Sequence, residues 1–130
     1  MAGDVFKGSE TVFLVDDEDM IVDVGELLLE KLGYKALVAG NGMDAIEIYK
    51  EKKSHIDMVI LDMIMPEMDG GETYDKLKEI NPDVKVLLSS GYSINSQATD
   101  ILERGCDGFI QKPFTMKNLS QKIREVLDKI

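Results

Sequence analysis

One cysteine, one histidine, no tryptophan and three prolines stand among the 130 residues of this chain. A single thiol, Cys106, cannot close an internal disulfide, so a reducing, cytoplasmic setting is expected. One cysteine and one histidine, His55, fall short of the ligands an ordinary structural zinc site needs. No apolar run approaches the length of a membrane span. The first ten residues are polar and glycine-containing, unlike a signal peptide, and read as a flexible leader ahead of one domain over residues 11–130. Positive charge is scarce too: 15 Lys and Arg against 25 Asp and Glu leave a formal net charge of −10. Such a surface repels nucleic acid and anionic membrane, so neither is expected as a partner.

What is present is a globular composition, with 44% hydrophobic and 31% charged residues. Five short apolar runs stand out: Thr11 to Val15, Ala36 to Ala39, Met58 to Leu61, Val84 to Leu88, and Gly108 to Ile110. Most are continuous rather than alternating, which suits strands buried on both faces of a parallel sheet. Between them lie helical patterns. Ile21, Val24, Leu28 and Leu32 recur on one face before Gly33. Ala45, Ile48 and Tyr49 follow the Asn41-Gly42 turn. Tyr74, Leu77 and Ile80 precede the breaker Asn81-Pro82. Ile94, Ala98, Ile101 and Leu102 precede Gly105. Leu119, Ile123, Val126 and Ile130 follow Thr115, a candidate N-cap. Five repeats of strand then helix predict an α/β fold with a five-stranded parallel sheet and helices on both faces. The expected strand order is 2-1-3-4-5. No linker or internal repeat interrupts the pattern, and with the chain stopping at the fifth helix no output domain is expected within these residues.

Ligands of open parallel sheets bind beyond the carboxyl ends of the strands, where strand order reverses. Strand one ends in Asp16-Asp17, followed by Glu18-Asp19. Strand three ends in Asp62, strand four in Ser89-Ser90-Gly91, and strand five runs into Lys112-Pro113. With strands one and three adjacent, Asp16, Asp17 and Asp62 converge. Three carboxylates so close repel unless a cation intervenes, and an all-oxygen set suits Mg2+. An aspartate can accept a phosphoryl group as nucleophile, and such transfer needs little beyond alignment and charge neutralisation. Asp62 as nucleophile, Mg2+ and Lys112 as neutralisers, and Ser90 as hydrogen-bond donor meet that need.

Each residue also has a plainer reading. Asp16 to Asp19 could cap the first helix. Asp62 could be a loop acid, Ser90 a turn residue, and Lys112 a solvated lysine. What the plainer readings do not require is joint placement at strand ends. His55 reads as a surface residue, Cys106 as a packed one. Met63, Met65 and Met68 read as packing or surface methionines, and Lys50 to Lys53 as a charged helix end.

Four motifs carry a resemblance to a known family: Val15-Asp16-Asp17-Glu18, Leu61 through Gly70 (LDMIMPEMDG), Leu88-Ser89-Ser90-Gly91, and Gln111-Lys112-Pro113-Phe114. The sequence resembles the receiver domains of two-component response regulators, chemotaxis-regulator-like and flavodoxin-like in fold, over about residues 11 to 129. Members of that family are standard examples of the 2-1-3-4-5 order, so the order given above is not independent of the resemblance. The resemblance implies a phosphoprotein of bacterial or archaeal signalling rather than a turnover enzyme. Asp62 would be phosphorylated by a histidine kinase, a phosphotransfer protein or a small phosphodonor. Asp17 would ligate Mg2+ with Asp16 assisting and the Ile64 carbonyl as a further ligand. Ser90 would bond the phosphoryl group and Lys112 would pair with it. The Lys112-Pro113 peptide would be cis. Phe109 stands at the switch-aromatic position and, lacking a phenol hydroxyl, would act only through packing. Ser90 and Phe109 together would remodel the fourth helix, fifth strand and fifth helix, a face that also offers a homodimer contact.

Ile64 and Tyr92 lie two residues past Asp62 and Ser90, where bulky apolar side chains are expected to slow hydrolysis. The Ser90-Gly91-Tyr92-Ser93 stretch resembles receivers at the C-terminus of hybrid sensor kinases; a stand-alone regulator is equally compatible. Three rivals compete. A phosphatase with a nucleophilic Asp would want a second Asp where Ile64 stands. A phosphorylation-independent docking module would have lost part of the acid, hydroxyl and lysine set, and none is lost here. A flavodoxin-like cofactor binder would want a phosphate loop after strand one, where Asp16 to Asp19 would repel phosphate.

Overall fold

The computed structural model describes residues 5–129 and arranges five strands and five α-helices in strict alternation. The strands are β1 (Thr11–Val15), β2 (Lys35–Ala39), β3 (Met58–Asp62), β4 (Val86–Ser90) and β5 (Gly108–Gln111). The helices are α1 (Asp19–Lys31), α2 (Gly42–Lys52), α3 (Gly70–Ile80), α4 (Ser96–Glu103) and α5 (Met116–Leu127), with a 3-10 turn at Lys53–His55. All strand pairs are parallel and the order is β2-β1-β3-β4-β5. β1, β3 and β4 are the inner strands. Their continuous apolar runs follow from having a helix layer on each side: β3 and β4 are buried at every position.

Two cores result. Phe13, Val15, Val59, Leu61, Val86 and Leu88 pack against α2, α3 and α4 through Ala45, Tyr49, Tyr74, Leu77 and Ile101. Val12, Leu14, Met58, Ile60, Leu87 and Ile110 pack against α1 and α5 through Leu29, Leu32, Leu119 and Ile123. Side-chain caps fix four helix starts: Asn41, Asp69, Asn95 and Thr115 each accept from a backbone N–H three residues on. Helix α1 has no side-chain cap of this kind, which leaves the acids ahead of it free for other partners.

Three expectations are corrected. Val24 lies on the exposed side of α1, and Leu29 takes the core position instead. The buried line of that helix runs through Gly25, whose missing side chain lets Leu14 pack close. Ile94 is exposed and precedes α4, which starts at Ser96 behind its Asn95 cap. Val84 is buried but sits in the turn before β4, its N–H bonded to the Asn81 carbonyl. Ile130, expected on the fifth helix, lies outside the described residues, as do residues 1–4 of the segment expected to be a flexible leader. Further along that leader, the Gly8 N–H donates to the Leu32 carbonyl at 3.1 Å. Glu10 pairs with Arg124 at 2.9 Å.

Candidate phosphoacceptor site

The carboxyl ends of β1, β3, β4 and β5 meet at one edge of the sheet. Asp16 directly follows β1 and its N–H bonds the Ala39 carbonyl at 3.1 Å, continuing the ladder with β2 by one residue. Asp62 is the last residue of β3, in register with Ser89 of β4. Gly70 opens α3 directly beneath this strand end. A Cβ there would stand 2.6 Å from the Asp62 carbonyl oxygen and 2.7 Å from Met63 Cα. Only glycine lets the helix start so close to the strand. The turn between them passes through Glu67, whose φ of 68° is in the left-handed region.

Carboxylate oxygens of Asp16, Asp17 and Asp62 all lie within 4.8 Å of one another, with Asp16 and Asp62 buried and Asp17 exposed. Lys112 enters from the turn after β5. Its Nζ donates to Asp16 Oδ2 at 2.9 Å and to Asp62 Oδ1 at 3.2 Å, and lies 3.5 Å from Glu18 Oε1. The Lys112-Pro113 peptide is cis, and the Lys112 N–H is held by the Ser90 carbonyl at 2.7 Å. The lysine is 8% exposed, so this is not the solvated surface residue its type suggests. The Tyr92 N–H donates to Ser90 Oγ at 3.1 Å, leaving the hydroxyl proton free to donate. An open cleft of about 480 Å3 is lined by Asp17, Glu18, Asp62, Ile64, Ser90, Gly91, Tyr92 and Lys112.

The electrostatics follow from burial. Desolvation, then the charge of Asp16, pushes the Asp62 carboxyl up to about 7, with Lys112 pulling the other way. Burial alone would lower the Lys112 ammonium; its hydrogen bond to Asp16 and the charges of Asp62 and Asp16 outweigh this and raise it. Asp16 and Asp62, both buried, share the single Lys112 ammonium, and the exposed Asp17 adds a third carboxyl group beside them. With all-oxygen donors and one exposed member open to water, the cluster fits a small hard dication such as Mg2+.

The other residues singled out by sequence lie as follows. Ile64 and Tyr92 are exposed at 50% and 67% and flank the cleft; the Ile64 N–H reaches Asp62 Oδ1 at 3.4 Å. Phe109 is half-buried against the α2–α4 core, in register with Leu88. His55 is exposed on the 3-10 turn, remote from this cleft. Cys106 is buried, and burial raises its thiol. Met63 and Met65 are buried and pack in the core, with Met68 half-buried beside them. Sequence reasoning gave no role to Glu18 beside Lys112 or to the close approach of Gly70. The Asp69-Gly70 pair, an N-cap followed by a residue without a side chain, was the available signal.

A family model described as "Response regulator receiver domain" matches residues 12–124. The chain belongs to the response regulator receiver domain family. This receiver is 38% identical over 123 residues to the sensor kinase CckA of Brucella abortus, covering 95% of this chain and 13% of that protein. It is 34% identical over 121 residues to the probable transcriptional regulator ycf27 of Porphyridium aerugineum, covering 93% of this chain and 49% of that protein. The receiver thus spans half or less of these relatives' length. Among solved structures, a receiver domain protein from Clostridium thermocellum superposes with a TM-score of 0.86 at 28% identity, covering 92% of this chain and 94% of that one. A chain of the CheX-CheY-BeF3-Mg2+ complex of Borrelia burgdorferi gives 0.87 at 28% identity, covering 92% and 90%. The fold is therefore that of the chemotaxis-regulator-like, flavodoxin-like receivers. No helix among the described residues is long and apolar enough to cross a membrane.

Proposed function

We propose that this receiver accepts a phosphoryl group on Asp62 in a Mg2+-dependent reaction, with a histidine kinase or phosphotransfer protein as donor. The observation that carries the reading is Lys112 Nζ bridging Asp16 and Asp62 in a buried site beside a third carboxylate. That pairing costs desolvation energy, and burying an ion pair is weak evidence of stabilisation. It is accounted for if the group is held ready for a charge that arrives later.

Asp16, Asp17, Asp62 and the Ile64 carbonyl would hold the ion. Mg2+ so bound would neutralise charge on the carboxylates and the incoming phosphoryl oxygens. The Asp62 oxygen attacks phosphorus and the bond to the donor nitrogen breaks with its electron pair going to that nitrogen. Lys112 turns from the carboxylates onto a phosphoryl oxygen, and the Ser90 hydroxyl donates to another. Ser90 and the Lys112 turn lie on β4 and just after β5, so their movement is passed to Phe109 and to the face formed by α4, β5 and α5. That face controls a partner or an attached output and offers the contact for a homodimer. Ile64 and Tyr92 limit access of water to the phosphoryl group. With Ile64 two residues past the nucleophile there is no general acid for multiple turnover, so the domain signals rather than acts as an enzyme. Its setting is cytoplasmic.

Incubation with acetyl phosphate and Mg2+, read by intact mass, tests this. The wild type should gain one phosphoryl group, and neither Asp62→Asn nor a chelator-treated sample should. Absence of labelling in the wild type, or equal labelling of Asp62→Asn, would overturn the reading.

A further inference from the structure

Among the described residues, the Ser89 hydroxyl is one of two buried side-chain polar atoms with no hydrogen-bond partner. It lies next to Asp62. Ser89 is fully buried and stands in register with Asp62 on the adjacent strand. Strand alternation fixes its direction. Ile60 and Leu87, two residues earlier on their strands, both pack in the α1/α5 core, so Asp62 and Ser89 project to that same side. Neighbouring strands lie about 4.8 Å apart, which sets the two side chains side by side. An apolar residue would fill this strand position without leaving a buried donor unused. In this state Asp62 Oδ1 receives the Lys112 ammonium and, more distantly, the Ile64 N–H, and the Ser89 hydroxyl bonds neither carboxyl oxygen.

We infer that Ser89 is a hydrogen-bond donor held for the phosphorylated form of Asp62, an inference that rests on the phosphoacceptor reading above. When one carboxyl oxygen is bonded to phosphorus and Lys112 has turned to the phosphoryl group, the remaining carbonyl oxygen loses its ammonium partner. Rotation of the Ser89 side chain supplies the replacement. The consequence lies in the lifetime of the acyl phosphate. In hydrolysis, water oxygen bonds to phosphorus, the bond from phosphorus to the Asp62 oxygen breaks with its electron pair returning to the carboxylate, and the water proton leaves to solvent. Negative charge develops on the carboxyl group as it departs, and a donor on that group stabilises it. Ser89 therefore shortens the phosphoryl lifetime, while Ile64 and Tyr92 act on the water side.

The test labels wild type, Ser89→Ala, Ser89→Val and Ser89→Thr with acetyl phosphate and Mg2+, removes the donor, and follows decay by intact mass. Denaturant midpoints of the unlabelled proteins are measured in parallel. Ser89→Ala and Ser89→Val should keep the phosphoryl group several-fold longer, and Ser89→Thr should decay like the wild type. Unlabelled Ser89→Ala should be as stable as the wild type or more so. Labelled proteins with equal lifetimes would remove the role of Ser89 and leave the phosphoacceptor reading standing. Lower stability of unlabelled Ser89→Ala would also overturn the inference, since the hydroxyl would then already be bonded. A wild type that takes no label would remove both.

Discussion

Replacing Asp62 with asparagine removes a buried charge, and the structure sets the size and pH dependence of the effect. Burial and Asp16 raise the Asp62 carboxyl from 3.8 to about 7 in the folded protein. A raised acid is more protonated in the native than in the unfolded state between those values. Its contribution to stability is therefore complete below about pH 4 and is lost as pH rises through about 7. The gap of about 3 pH units corresponds to about 4 kcal/mol of penalty at pH 8, of which roughly one-third is in place at pH 5. Relaxation around the charge and the weaker hold on Lys112, which keeps Asp16 at 2.9 Å, reduce this by about half. Asp62→Asn, nearly isosteric, should then be more stable than the wild type by about 2 kcal/mol at pH 8 and by under about 1 kcal/mol at pH 5. The assay is urea denaturation in excess chelator at both pH values. A variant less stable than the wild type at pH 8, or one whose gain does not shrink at pH 5, would refute the electrostatic account.

Other consequences follow from the same geometry. Mg2+ should stabilise the wild type, by about 2.7 kcal/mol at a hundred times its dissociation constant. Chelator should reverse the gain and Asp17→Asn should abolish most of it, both read from thermal melts. Gly70→Ala forces a Cβ against the backbone of Asp62 and Met63. It should cost about 2–3 kcal/mol in urea denaturation and weaken labelling of Asp62. The Cys106 thiol, buried and raised by desolvation, should react with a disulfide reagent at pH 8 at least about tenfold more slowly in the native protein than in urea.

How far the sequence speaks for the fold depends on whether packing or local chemistry decides an element. β1 and β3 were legible because inner strands are apolar on both sides, and their ends were placed within one residue. The cap at Thr115 was legible because side-chain chemistry sets it, whereas Asn41 read only as a turn residue and proves to be a cap as well. Helix α1 was not. It carries Met20, Ile21, Val22, Val24, Leu27, Leu28 and Leu29, so apolar periodicity gives no unique phase, and the deciding contact is Gly25 against Leu14. Val84 shows that a buried apolar residue can belong to a turn. For the cleft, strand order alone brings Asp16, Asp17 and Asp62 together. The depth of Lys112 and the idle hydroxyl of Ser89 depend on three-dimensional packing that no linear pattern carries.

The central claim concerns one carboxyl group. After labelling with acetyl phosphate and Mg2+, borohydride reduction converts a phosphorylated aspartate to homoserine, and peptide mass spectrometry locates it. Conversion at residue 62 alone is predicted, although Asp57, Asp69 and Asp75 lie on the same tryptic peptide. Homoserine at Asp16 or Asp17, or at none of the aspartates, would contradict the account.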